Sequence, residues 1–141
     1  MIPRMRLSLA LVVTVSLLAA ACAEHLPDQD LRILQTPPAA KLSADDLWKD
    51  FQKDPAAARR QYFGQAIDVS ARITSFEANP AKMPYIFFGQ DGAPGVRARL
   101  LDEKAAEIIK DAKPGERITL RCFCEGLNDK QDVLLKSCIK P

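Results

Sequence analysis

Histidine is almost missing from this chain: among 141 residues there is one, His25. A Ser-His-Asp relay would have to rest on that single residue in a Pro-containing N-terminal stretch, and one His without partners is a poor metal site. Glycine is sparse, at six residues, and none of them forms a phosphate-cradling loop. No Cys-x-x-Cys pair, internal repeat or low-complexity tract occurs. An excess of one charge is missing as well. The chain has 20 Lys+Arg against 18 Asp+Glu, and subtracting Arg4 and Arg6, which lie in the first six residues, leaves 18 of each. Net charge therefore gives no electrostatic reason to expect a polyanion partner. The acid pairs Asp45-Asp46 and Asp102-Glu103 stand at helix starts, where the helix dipole accounts for them. These absences argue against an enzyme; no cofactor and no metal are expected.

What is present begins with an export signal. Met1–Arg6 is basic, Leu7–Leu18 is apolar but for Ser8, Thr14 and Ser16, and Ala19-Ala20-Ala21 supplies small side chains before Cys22. These are the three parts of a secretory signal, assigned here to residues 1–21. The apolar run falls short of the ~20 residues that span a bilayer, so a retained transmembrane anchor fits less well. Leu18-Ala19-Ala20-Ala21-Cys22 resembles a bacterial lipobox, in which the Cys is acylated and becomes the new N-terminus. The usual Leu three residues before the Cys is Ala19 here, and ordinary cleavage at an Ala-x-Ala site is the alternative. The expected location is the bacterial cell envelope, as a palmitoylated lipoprotein facing the periplasm. Ala23, rather than Asp, after the Cys favours the outer membrane. Residues 22–42, with Pro27, Pro37 and Pro38, read as a lipid-anchored flexible tether.

One domain follows, over residues 43–141. Ser43-Ala44-Asp45-Asp46 opens a helix with apolar Leu47, Trp48 and Phe51. Asp54-Pro55 opens a second through Tyr62, closed by Gly64. Ile67, Val69, Ala71 and Ile73 alternate with polar residues as a strand. Asn79-Pro80 marks a loop. Tyr85–Phe88 and Val96–Leu100 are the second and third strands, Asp102–Ala112 is a helix, and Ile118–Cys124 is the fourth strand. A turn at Gly126–Asp129 leads to the fifth, Val133–Ile139. Three strands, a helix and two strands are the connectivity of a mainly β, five-stranded Greek-key barrel of the OB type; an open α+β sheet is the alternative.

The region Ser43–Pro141 resembles the tRNA_anti-like family of small bacterial OB-fold proteins, many of them predicted lipoproteins. The resemblance is carried by the leading helix, by Tyr62-Phe63-Gly64-Gln65-Ala66-Ile67 before an alternating strand, by Pro114-Gly115-Glu116-Arg117-Ile118-Thr119-Leu120, and by Cys124-Glu125-Gly126 followed by Val133, Leu135 and Cys138. The family name refers to fold similarity with anticodon-binding domains and does not establish tRNA binding.

The resemblance makes Cys124 and Cys138 the first disulfide pair to consider. Simple ladder geometry opposes it. A regular hairpin centred near Asn128 sets Cys124 opposite Asp132 and Cys138 near Ile118, beyond the ~7 Å that bridged Cα atoms allow. Cys122 with Cys138, and no bridge, stay open beside it. OB-folds bind oligonucleotides and oligosaccharides across their second and third strands. Arg72, Arg97 and Arg99 share the outer strand face, with either Tyr85 and Phe87 or Ile86 and Phe88 between them. Such a face could meet an anionic or planar ligand; a solvated strand face over a core of aromatics is the plainer account. The expected function is a non-catalytic envelope binding or interaction module, held to the membrane by its N-terminal lipid, with an envelope protein or small ligand as partner. Nucleic acid is not expected. An OB-type binder of nucleic acid or oligosaccharide is the first alternative, and an envelope redox protein or enzyme the second.

Overall fold

Both leading helices begin where their capping chemistry places them. In the computed structural model, which describes residues 25–78 and 84–141, α1 spans Ala44–Lys53 and α2 spans Pro55–Tyr62. Ser43 Oγ accepts from Asp46 N at 3.0 Å, and Asp54 Oδ1 accepts from Ala57 N at 3.0 Å, each satisfying an amide with no partner inside its helix. Leu47 and Phe51 are buried, and Tyr62 donates to Asp50 Oδ2 at 2.6 Å, tying α2 back to α1. Burial, and then this hydrogen bond, push the Tyr62 phenol up to about 12. The export signal, Cys22 and the expected loop at Asn79-Pro80 lie outside the described residues.

Seven strands form one sheet: β1 Ala40–Ser43, β2 Ala66–Arg72, β3 Ser75–Ala78, β4 Pro84–Phe88, β5 Val96–Leu100, β6 Arg117–Leu127 and β7 Val133–Ile139, in the order β1-β2-β6-β7-β5-β4-β3. Helix α3, Asp102–Asp111, lies between β5 and β6 in the chain. The arrangement fits an OB-type fold broadly, but the expected count of five strands is not what is found. β1 is added at one edge, parallel to β2, and β3 at the other. The ladder does not close among the described residues. Only Ile73 and Thr74 join β2, beside one edge, to β3, the opposite edge. Ile73 N donates to Glu116 O at 2.9 Å and Thr74 N to Phe87 O at 2.9 Å, so this bend holds on to both ends of the sheet. Inward residues of β2, β4, β5, β6 and β7 build the main core with α1, α2 and α3.

The tether reading of residues 22–42 is corrected for the part that is described. Asp30 caps a 3-10 helix at Leu31–Leu34, and Ile33 is fully buried in a second cluster with Ala66, Leu101, Phe123 and Ile139. Ahead of it, Leu26 N donates to Glu125 Oε1 at 2.9 Å, Asp30 N donates to Ser137 Oγ at 2.7 Å, and Lys136 Nζ donates to Leu26 O at 2.9 Å. Gln29 accepts from Asp102 N at 2.7 Å and donates to Leu100 O at 3.1 Å, capping α3, whose own N-cap, Leu101, has no side-chain acceptor. Proline content spoke for a tether; the hydrogen-bond partners are side chains about a hundred residues away, which no local pattern reveals.

The first expectation for the disulfide is also corrected: Cys122 is bonded to Cys138, with Cα atoms 4.3 Å apart, and Cys124 is a buried free thiol. The physical reason is the turn. Leu127 pairs with Val133, so the hairpin is centred on Lys130 rather than near Asn128. Asn128 Oδ1 accepts from Lys130 N and Asp132 N, both at 2.9 Å, and Asn128 N donates to Asp132 O at 2.9 Å. That shift brings Cys138 across from Cys122. Two irregularities, between Cys124 and Gly126 and between Arg121 and Phe123, compensate each other. Gly126 belongs to the first of these, at φ +107°, and not to the turn assigned from sequence.

Candidate binding site

The outer face of β4 and β5 holds Tyr85, Phe87, Arg97 and Arg99 together. Tyr85 pairs with Arg99 and Phe87 with Arg97, whereas Ile86 and Phe88 point into the core. The two-residue period of the strand thus selects Tyr85 and Phe87 for the outer side. The guanidinium carbon of Arg97 lies 4.5 Å from the Phe87 ring centroid, and that of Arg99 lies 5.9 Å from Tyr85. Arg72 is not part of this group. It ends β2 opposite Arg117, exposed, and donates to Gly115 O at 3.1 Å.

This face is largely satisfied from within. Arg97 pairs with Glu77 and, at 2.8 Å, with Asp132, a carboxylate only 2% exposed. Arg99 is likewise 2% exposed, donating to Leu100 O at 2.5 Å and to Asp102 Oδ1 at 2.8 Å. Phe87 is itself buried, with no open ring face for a base to stack upon. Gly95 packs flat against its strand: a Cβ there would stand 2.5 Å from Phe88 O and 2.7 Å from the Phe87 ring. A ligand on this surface would have to displace existing ion pairs.

Open space lies elsewhere. A cleft of about 550 Å³ runs between α1, the end of β2 and the β4–β5 turn. Its walls include Trp48 and Asp45 from α1, Arg72 and Thr74 from the β2–β3 bend, and Phe88 and Gln90 from the turn. The volume is in the range of small-molecule sites, which combine apolar walls with a few polar groups. Thr74 Oγ1 donates to Gly89 O at 2.5 Å and accepts from Gly89 N at 3.1 Å, pinning the turn to the bend. On the far side Gly95 N donates to Asp132 Oδ1 at 2.9 Å, so the same carboxylate holds the turn and Arg97. Asp45 faces Lys49 at 2.7 Å. Trp48 offers a flat apolar wall, Arg72 a guanidinium, and Gln90 an amide. The Thr74 hydroxyl serves the backbone of Gly89.

Arg72 is legible in the sequence as a strand-face cation, but the cleft is not: Trp48 reads as part of the apolar face of α1, and no local pattern marks Thr74, Gln90 or Asp132. The only local signal was the Gly89-Gln90-Asp91-Gly92 turn. The thiol of Cys124 is pushed up to about 12 by burial, the reverse of the exposed, low-pKa cysteine that a redox function requires. Among the described residues no group of three or more His, Cys, Asp or Glu could hold a metal ion.

No curated protein matches the sequence. Among solved structures, a "putative nucleic acid-binding lipoprotein" from Klebsiella pneumoniae is similar at TM-score 0.57 and 16% identity, over 81% of this chain and 98% of that one. A "putative aspartyl-tRNA synthetase" from Leishmania major is similar at TM-score 0.45 and 14% identity, over 79% of this chain and 21% of that one. At these identities the first likeness is one of fold, and nothing is drawn from the second. The model of the tRNA_anti-like family matches residues 1–139. Matched over nearly its whole length, the chain belongs to the tRNA_anti-like family.

Proposed function

We propose that this protein is a non-catalytic binding module of the bacterial envelope, anchored through a lipid on Cys22, which takes a small planar or anionic ligand in the cleft between α1 and the β4–β5 turn. The observation that carries the reading is the cleft itself, with Trp48 and Arg72 on its walls. The strand face where OB-folds take nucleic acid is, in contrast, occupied by its own ion pairs. The Cys122–Cys138 bond suits an oxidising compartment and thus export. The lipobox-like Leu18–Cys22 and the likeness to a lipoprotein of similar length support the anchor and an envelope location facing the periplasm.

Trp48 is the chain's one Trp, so the emission arises from the cleft wall. The test titrates the protein with anilinonaphthalene sulfonate, a planar anion. Saturable energy transfer from Trp48, weakened about tenfold or more by Arg72→Ala, is expected, since a charge-assisted contact is worth ~1.5–3 kcal/mol. Equal affinity in the variant would sink the cleft reading. The nucleic-acid alternative keeps one supporting fact, the nucleic acid-binding description of the Klebsiella pneumoniae lipoprotein. Binding of a ten-base oligothymidine that is salt-sensitive and lost in Arg97→Ala would establish it instead.

A further inference from the structure

Three large hydrophobic side chains among the described residues are exposed: Leu31 at 57%, Leu34 at 42% and Ile109 at 38%. Leu31 and Leu34 stand at the ends of the 3-10 helix. With three residues per turn, positions i and i+3 eclipse, so both leucines leave the helix on one side. Ile33, between them, is fully buried beneath. The helix cannot turn its leucines inward without withdrawing Ile33 from Ala66, Leu101, Phe123 and Ile139. The strap ahead of it is held as firmly. Glu125, 9% exposed at its side chain, accepts from Leu26 N and pairs with Lys136 at 3.1 Å, and Lys136 reaches Asp28 at 2.9 Å.

The length of chain between this strap and the anchor says what lies against it. Four peptide units separate Cys22 from Leu26. Even fully extended they reach only ~14 Å. The polar layer on each side of a bilayer's hydrocarbon core is itself ~5–8 Å thick. A domain fixed at Leu26 is therefore held within roughly 6–9 Å of the surface of a membrane that holds the acyl chains of Cys22.

We infer that the side of the domain bearing the 3-10 helix Leu31–Leu34 rests on the lipid bilayer, with Leu31 and Leu34 seated in its interfacial layer. The inference rests on acylation of Cys22, which is part of the function proposed above. Arg32, the exposed cation of this helix, is already paired with Asp30 at 2.5 Å. The contact is accordingly apolar, and anionic lipid adds little to it.

The test uses the full acylated protein in phosphatidylethanolamine–phosphatidylglycerol vesicles whose lipid is brominated high on the acyl chain. Leu34→Trp in a Trp48→Phe background is compared with the unmodified protein, whose Trp48 is the control. Quenching of the indole introduced at position 34 by about twofold or more is expected at the ~5–10 Å depth of an interfacial side chain, with less for Trp48 and no change between low and high salt. Equal quenching at the two sites overturns the inference. Hydrogen exchange of the wild type supplies a measurement free of substitutions: slower exchange over Leu31–Gln35 on vesicles than in the Cys22→Ser protein supports the contact, and equal exchange refutes it. The mass of the purified protein separates the two failures. Absence of acyl chains defeats the anchor, and with it this inference; an acylated protein whose introduced indole stays unquenched defeats the contact alone.

Discussion

Opening the Cys122–Cys138 bond is the perturbation whose size follows most directly from the structure. The bond closes a loop across a sequence separation of 16. The chain-entropy expression for a loop of that size gives ~3 kcal/mol at 25 °C, acting through the unfolded state. Such a loss is a large part of a small domain's ~5–15 kcal/mol. The assay is urea unfolding of the chain without its signal and with Cys22→Ser, followed by circular dichroism. With a urea slope of ~1–3 kcal/mol/M, Cys122→Ala and Cys138→Ala should each lower the midpoint by about 1–3 M. The double variant should fall no further than either single one, because one constraint is lost in all three. That pattern gives a coupling energy of about 3 kcal/mol, far from additivity. Reduced wild type should unfold near the same midpoint. Cys124→Ala, which loses one buried sulfur and no bond, should cost about 1 kcal/mol. In denaturant without reductant one thiol should react, that of Cys124. Three reactive thiols before reduction, or Cys124→Ala as damaging as Cys122→Ala, would refute the assignment.

Three further outcomes are expected. Lys136→Met should free the N-terminal strap at a cost of about 3 kcal/mol or more, since among the described residues it leaves the buried Glu125 carboxylate with Leu26 N and the exposed His25; faster hydrogen exchange over 26–34 is the readout, and unchanged exchange would count against the clasp. Burial alone would lower the Lys136 ammonium, but its bonds to Asp28 and Glu125 outweigh burial and hold it above its ordinary 10.5. Its contribution is therefore complete below pH 10.5 and fades as pH rises through the folded value. Tyr62 has the same sign: ordinarily at 10 and here at about 12, it stabilises the fold below pH 10 and withdraws that support between pH 10 and 12. In Tyr62→Phe this share of the alkaline loss should disappear, and identical pH profiles from urea midpoints would contradict it. Gly95→Ala drives a Cβ to 2.5 Å from Phe88 O and should cost about 1–3 kcal/mol; an unchanged midpoint would show that the β4–β5 turn is looser than described.

Local chemistry alone determined a good deal. Ser43, Asp54 and Pro55 set both helix starts because the acceptor and the amides it serves lie within three residues. Strict alternation in β2 and β5 decided which side chains face the core, since the pleat has a period of two, whereas the unbroken apolar run Tyr85–Phe88 of β4 was oriented only by the folded sheet. The family followed from the order and spacing of such elements. The tertiary structure decided whatever depends on distant partners. Asn128 turned the hairpin through Asp132, and that shift, invisible in the alternation, moved the disulfide from Cys124 to Cys122. Glu125, Ser137 and Lys136 converted a Pro-containing stretch from tether to clasp. Arg97 and Arg99 read as free cations on an outer face, but Glu77, Asp132 and Asp102 had already taken them up, so the open site fell to Trp48 and Arg72. A sequence carries its periods and caps within a few residues, whereas hydrogen-bond and ion-pair partners are assigned only when the folded chain brings far positions together.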